Sequence, residues 1–173
     1  MEKIARINPY KSSFIIYSDL GAWRCCQIPN WPDKNFVRIV NERLNGRLLF
    51  GQTAHVNNES EVNINGNYIE GGFFAGTPQA IIEYAKLFYE VHDKRFTEGL
   101  FIGQDQTIMN YIAYKTNPKN YVRLRTLDMH VCNQNPNDKQ VYFDLWFFYQ
   151  HYFSKQNIFN CSYDKKLSIL TYL

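Results

Sequence analysis

Three groups of side chains in this sequence have types and spacings that could do chemistry. The first is Asp19, which closes the short apolar run SFIIYS at residues 13–18. Ligands of open α/β sheets gather at the carboxyl ends of strands, and a carboxylate there can hold a divalent cation. An ordinary turn or helix-capping aspartate is the plainer reading of the same residue. The second group is Gly71-Gly72-Phe73-Phe74-Ala75-Gly76-Thr77-Pro78. Glycines let a backbone approach a ligand closely, and the free amides of a following helix start favour anionic or hydroxyl-rich groups. The spacing matches neither a phosphate loop nor a dinucleotide fingerprint, and a bulged strand packed under a helix would use the same residues. The third group is Gly103-Gln104-Asp105-Gln106. A carboxylate flanked by amides can take sugar hydroxyls through paired hydrogen bonds or act as a base, and it can equally cap a helix.

Other chemistries find less support. Histidines 55, 92, 130 and 151 lack the spacing of a zinc site. Only His130, following a strand in Leu127-Asp128-Met129-His130, is kept as a candidate second metal ligand. No GxSxG elbow occurs, and the Cys25-Cys26 doublet has no nearby histidine to activate a thiolate, which removes the hydrolase and cysteine-protease readings. With Cys132 and Cys161, these cysteines form neither a CxxC pattern nor the density of a secreted scaffold, so they are expected to be reduced and buried.

The elements that must position these groups follow from periodicity and punctuation. SFIIYS reads as a buried strand feeding an acidic loop. WPDKNFVRIVNERLNG reads as a helix capped by Asp33, with Phe36, Ile39, Val40 and Leu44 on one face and Gly46 at its left-handed end. RLLFGQ is a second strand, HVNNESEVNINGN a polar loop or hairpin, and YIEGGFFAG a glycine-bent strand. Thr77 and Pro78 then start a helix presenting Ile81, Tyr84, Ala85, Phe88 and Val91 on one face. A further helix is expected from about Asp105 to Tyr114, stopped by NPKN, and YVRLRTLDMHV reads as a strand. NQNPNDKQ reads as a turn, while VYFDLWFFYQHYFSKQ is a buried aromatic segment of either type. Interleaved strands and helices without a linker or repeat predict a single α/β domain over residues 1–173, with helices around a mixed sheet.

Composition agrees with that class. A chain of 173 residues can bury a core without staples. Its 13 Tyr, 13 Phe and 3 Trp suit a thick core or a site that stacks on flat ligands. The net charge of +3 is spread too thinly to track phosphates, so nucleic acid is not expected as a partner. No apolar run reaches the roughly 20 residues of a membrane span, and MEKIARINPY has no signal-peptide core, so the cytoplasm is the expected compartment.

Taken together, the block YIEGGFFAGTPQAIIEYAKLFYEVHDKRFTEGLFIGQDQTIMNYI resembles the part of GT-A glycosyltransferases where a glycine-rich "GGFFGGT" strand and helix precede an acidic "DQ" or "DE" motif. It is most similar to the HtrL/YibB-like family of predicted glycosyltransferases. NPYKSSFIIYSDLGAWR resembles that family's strand ending in a "D-x-G" motif and an arginine, where other GT-A enzymes carry "D-x-D". The resemblance covers roughly residues 8 to 130 and is most specific over 68–112. It implies a GT-A-like mixed sheet, incomplete in that only a dozen residues stand where a nucleotide-binding half normally precedes. It implies transfer of a sugar from a nucleotide sugar to a glycan or other hydroxyl acceptor, assisted by Mn²⁺ or Mg²⁺. Carried over by motif, Asp19 would meet the metal and diphosphate, with Gly21 standing where other members have the second acid. Gly71, Gly72 and Phe73 would line the sugar pocket, and Gln104, Asp105 and Gln106 would contact donor or acceptor near the reacting carbon. The rival expectations are a non-catalytic carbohydrate-binding module and a subunit that completes its site with a partner chain.

Overall fold

The apolar runs become the strands of one mixed sheet. The structure, a computed structural model, describes residues 1–19, 30–126, 152–155 and 161–171. Its strands are β1 (Ile15–Ser18), β2 (Leu48–Gln52), β3 (Ile69–Gly76), β4 (Tyr121–Arg125) and β5 (Leu170–Thr171), lying side by side in the order β1-β3-β2-β4-β5. β3 runs antiparallel to both of its neighbours, β2 and β4 are parallel, and β5 returns antiparallel on β4. The helices are α1 (Glu2–Ile7), α2 (Lys34–Leu44), α3 (Pro78–Thr97), α4 (Asp105–Tyr111) and α5 (Tyr163–Leu167). This is the α/β class with a mixed sheet flanked by helices.

Strand alternation sends successive side chains into two cores. Leu49, Phe73, Ala75, Val122 and Leu124 face Phe36, Val40 and Leu44 of α2, together with Tyr152 and Phe153. Phe50, Phe74 and Tyr121 face Ile81 and Tyr84 of α3 and Ile108 and Met109 of α4. Each fully buried Phe or Leu contributes on the order of 1.5–3 kcal/mol, so neither layer can be stripped away without losing the sheet.

The helix starts are made by the residues whose chemistry requires it. Asp33 accepts from the backbone N–H groups of Asn35 at 3.0 Å and Phe36 at 3.4 Å, and Thr77 accepts from Ala80 N–H at 3.1 Å ahead of Pro78. α2 ends at Leu44, and past it Asn45 (φ 50°) and Gly46 (φ 79°) are both left-handed, as the glycine suggests. Asparagine tolerates that conformation better than most residues. α1 has no counterpart in the sequence reading. It packs on α3 while leaving Ile4 and Ile7 exposed, so no apolar periodicity marks it. The Asn-rich segment after β2 holds a short 3₁₀ turn, Glu59–Glu61, rather than a hairpin. It is fastened by Glu59 to the buried Arg123 of β4, whose guanidinium also lies 4.8 Å above the Tyr114 ring.

The last described stretches are tied to the start of α2. Asp33 N–H donates to Phe153 O at 2.8 Å, and the Tyr163 hydroxyl donates to the Asp33 carboxylate. Lys166, 1% exposed, donates from Nζ to Tyr152 O at 3.0 Å and to Ser154 O at 2.8 Å. Burial pushes its ammonium down to about 8, against the pull of the nearby Asp33 charge. The expectation of reduced cysteines is corrected here for Cys161, which is fully buried and disulfide-bonded. Spacing gave no warning, since folding can bring together thiols far apart in the chain.

Candidate functional site

β1 and β3 lie in register from Ile15 opposite Gly76 to Ser18 opposite Phe73, so the residue after β1 arrives beside Gly72. Asp19 N–H donates to Gly72 O at 3.0 Å, which fixes the aspartate on the strand end. Tyr17 lies two residues earlier and therefore on the same face. Its hydroxyl donates to Asp19 Oδ1 at 2.7 Å, and its ring stacks on Phe74 with centroids 4.7 Å apart. The hydrogen bond to Asp19, then burial, then the charges of Asp19 and Asp105 push the Tyr17 hydroxyl up to about 12. It thus stays protonated and holds one carboxylate oxygen while the other remains available.

β3 is irregular at the point where this matters. Phe50 pairs with Phe74 and Gln52 with Ile69, so two steps along β2 span five along β3, and residues 70–73 bulge. The bulge turns Gly71 toward α4 and Gly72 toward Asp19. A side chain at Gly72 would begin 3.1 Å from Asp19 Oδ2, and one at Gly71 would begin 3.0 Å from Asp105 Oδ1 and 3.1 Å from Oδ2. Each of the two adjacent glycines therefore leaves the space that a carboxylate from another element fills.

α4 is seated on the same bulge. Asn110, fully buried, accepts from Ile69 N–H at 2.9 Å and donates its amide to Ile64 O at 2.9 Å and Gly66 O at 2.6 Å. One turn earlier, Gln106 donates to Ile69 O at 3.4 Å. Asp105 is the first residue of the helix, with Gln104 at the cap position, and its Oδ1 accepts from Gln106 N–H at 2.8 Å. Asp105 and Asp19 are both exposed.

Asp19, Gly71, Gly72, Asp105 and Gln106 thus come together at one end of the sheet, drawn from β1, β3 and α4. Gln104 is an exposed neighbour with no side-chain capping bond. Phe73 is placed elsewhere. Fully buried, it faces the α2 core with its ring 6.3 Å from Phe153, and Phe74 and Tyr17 are the rings beside the carboxylates. His130 lies outside the described residues. Tyr17 and Asn110 were missed in the sequence. The period of two along a strand would have pointed to Tyr17 as a partner of Asp19, whereas nothing local marks Asn110.

Next to the carboxylates, an open cavity of about 330 Å³ lies between α1, α3 and the β1–β3 pair. Tyr17, Phe74, Phe88 and Tyr89 supply aromatic walls, and Gly71 and Asp105 form part of its lining.

Two or more oxygens are needed from any protein that holds a hard divalent cation by itself. Asp19 offers one committed and one available oxygen, and among the described residues no group of three His, Cys, Asp or Glu side chains converges. A cation arriving with a diphosphate would find one carboxylate oxygen here, that of Asp19 not held by Tyr17. No helix among the described residues is long and apolar enough to cross a membrane. Comparison with family models, with curated proteins and with solved structures found no match.

Proposed function

We propose that this chain is a GT-A-like glycosyltransferase domain that moves a sugar from a nucleotide sugar to a hydroxyl acceptor. The observation that carries the reading is the pair of adjacent glycines, each yielding its side-chain space to a carboxylate from a different element. Two exposed carboxylates at the carboxyl end of β1 and the amino end of α4 could flank a sugar, one toward its leaving group and one toward the incoming hydroxyl. Mn²⁺ or Mg²⁺, when bound, would neutralise charge on the leaving diphosphate.

The chain's own residues have distinct parts in this reading. Tyr17 holds the Asp19 carboxylate in a fixed rotamer. Asp105 accepts the hydrogen of the acceptor hydroxyl as that oxygen bonds to the anomeric carbon and the bond from that carbon to the diphosphate oxygen breaks. The proton passes to Asp105, and the nucleoside diphosphate leaves with the bonding electrons. Gly71 and Gly72 let the two carboxylates settle against the strand, which sets where each of them stands toward the sugar. A carbohydrate-binding module without turnover is the second reading, favoured by the aromatic cavity, which would hold a glycan without any metal. As for compartment, the Cys161 disulfide counts against the cytoplasm, where thiols are kept reduced.

The test is a thermal-shift series of the purified chain with UDP-, GDP-, CMP- and dTDP-sugars, each with and without Mn²⁺. A metal-dependent rise with one nucleotide that disappears in Asp19→Ala supports the transferase. No rise with any of them, on folded protein, removes it and leaves the binding module.

A further inference from the structure

The cavity beside the carboxylates has a definite chemical character. Its aromatic walls, Tyr17, Phe74, Tyr84, Phe88 and Tyr89, belong to three elements, and Tyr89 is 60% exposed, so its ring has a face to offer. The charged side chains in its lining are Glu2 and Asp105, both acidic, and no Lys, Arg or His contributes to it. Arg6 is engaged with Glu2 at 2.7 Å, outside the lining. Asp19 stands close behind, since its charge acts on the Tyr17 hydroxyl that lines the cavity. Glu2 is thus balanced by Arg6, and Met1 in the lining carries an ammonium, but an anionic group brought against Asp105 would meet the charges of Asp105 and Asp19 together.

We infer that this cavity is the acceptor subsite and that it takes an uncharged ring with one apolar face and at least one hydroxyl that donates to the Asp105 carboxylate. This rests on the transferase reading for the word acceptor, but the binding chemistry stands on the cavity itself. A pyranose with an axial C–H face and a phenol share the required chemistry, and both fit an opening of this size.

Binding is measured by ligand-observed NMR on the full chain, with methyl glucoside, phenyl glucoside, phenol and glucose 6-phosphate as probes. The neutral glycosides are expected to bind, glucose 6-phosphate at least about tenfold more weakly, and Tyr89→Ala is expected to weaken glycoside binding about tenfold. Because Tyr89 is exposed, that variant should melt with the parent protein. Asp105→Asn should narrow the discrimination against the phosphate. Phenyl glucoside against methyl glucoside, with phenol alone, tells a sugar face from an aromatic one. Equal or tighter binding of glucose 6-phosphate, absence of glycoside binding, or indifference to Tyr89→Ala would each overturn the assignment. Nucleotide-sugar binding is followed in parallel. If it responds to Asp19→Ala while glycosides do not bind, only the subsite fails. If glycosides bind through Tyr89 and no nucleotide sugar does, only the transferase fails.

Discussion

The molecule uses one side-chain pair twice, and the two uses differ. At the end of β1 the Tyr17 hydroxyl donates to Asp19, and at the start of α2 the Tyr163 hydroxyl donates to Asp33. Both hydroxyls are pushed up to about 12, first by the hydrogen bond to the aspartate. Asp33 is 8% exposed and also accepts from Asn35 and Phe36 N–H groups, so its acceptor capacity is spent within the fold. Asp19 is exposed, has one oxygen held by Tyr17, and lies over a glycine. A carboxylate saturated by its own chain is a fastener, whereas one oriented but unsaturated is available for chemistry.

The largest effect expected from this contrast is on turnover. Asp19→Ala and Asp105→Ala should each lower sugar transfer by about a hundredfold or more while the melting temperature stays within a few degrees. Assay of both variants beside a melting curve decides it, and unfolding of either would make that aspartate another fastener. Asp33→Ala should behave in the opposite way. Loss of the cap and of the Tyr163 partner should cost about 2 kcal/mol in urea unfolding with ligand affinity retained. Gly72→Ala should be milder. A new methyl 3.1 Å from Asp19 Oδ2 must move that exposed carboxylate, lowering transfer about tenfold with stability changed by less than about 1 kcal/mol.

The last effect concerns pH. Folded Lys166 releases its proton near 8, whereas an ordinary lysine holds it to 10.5. Between these values the unfolded chain binds more protons, so stability should rise with pH across that window. Tyr17 and Tyr163 act in the opposite sense above their ordinary value of 10.0, because the folded hydroxyls keep protons that the unfolded ones lose. Urea titrations from pH 7 to 10 should show the rise in the parent and a flatter profile in Lys166→Met. An unchanged slope in that variant would remove Lys166 as its source.

What was legible in the sequence was local. Asp33 and Thr77 announce their helices because a cap needs only its own next three residues, and SFIIYS announces a strand by composition. The glycine pair was legible as a place of close approach, but not what approaches it, since Asp19 and Asp105 reach it from distant parts of the chain. Phe73 was expected at the site because it follows the glycines, and the strand's alternation carries it into the opposite core. The Cys161 bridge and the Asn110 anchor were hidden for a related reason, because each acts between segments that no local pattern connects.

The strand order also governs when the site can exist during folding. Ser18 must find Phe73, and Leu48 must find Tyr121, before the sheet closes. Such distant pairings slow the search, because ordering the intervening chain comes before any reward from contact. Helix α3 can form early from its own cap and apolar face, but Asp19 and Asp105 meet the twin glycines only once β1 has docked and α4 has settled on the bulge. In a refolding experiment, ligand binding should therefore recover after helical signal, as the last property the chain regains.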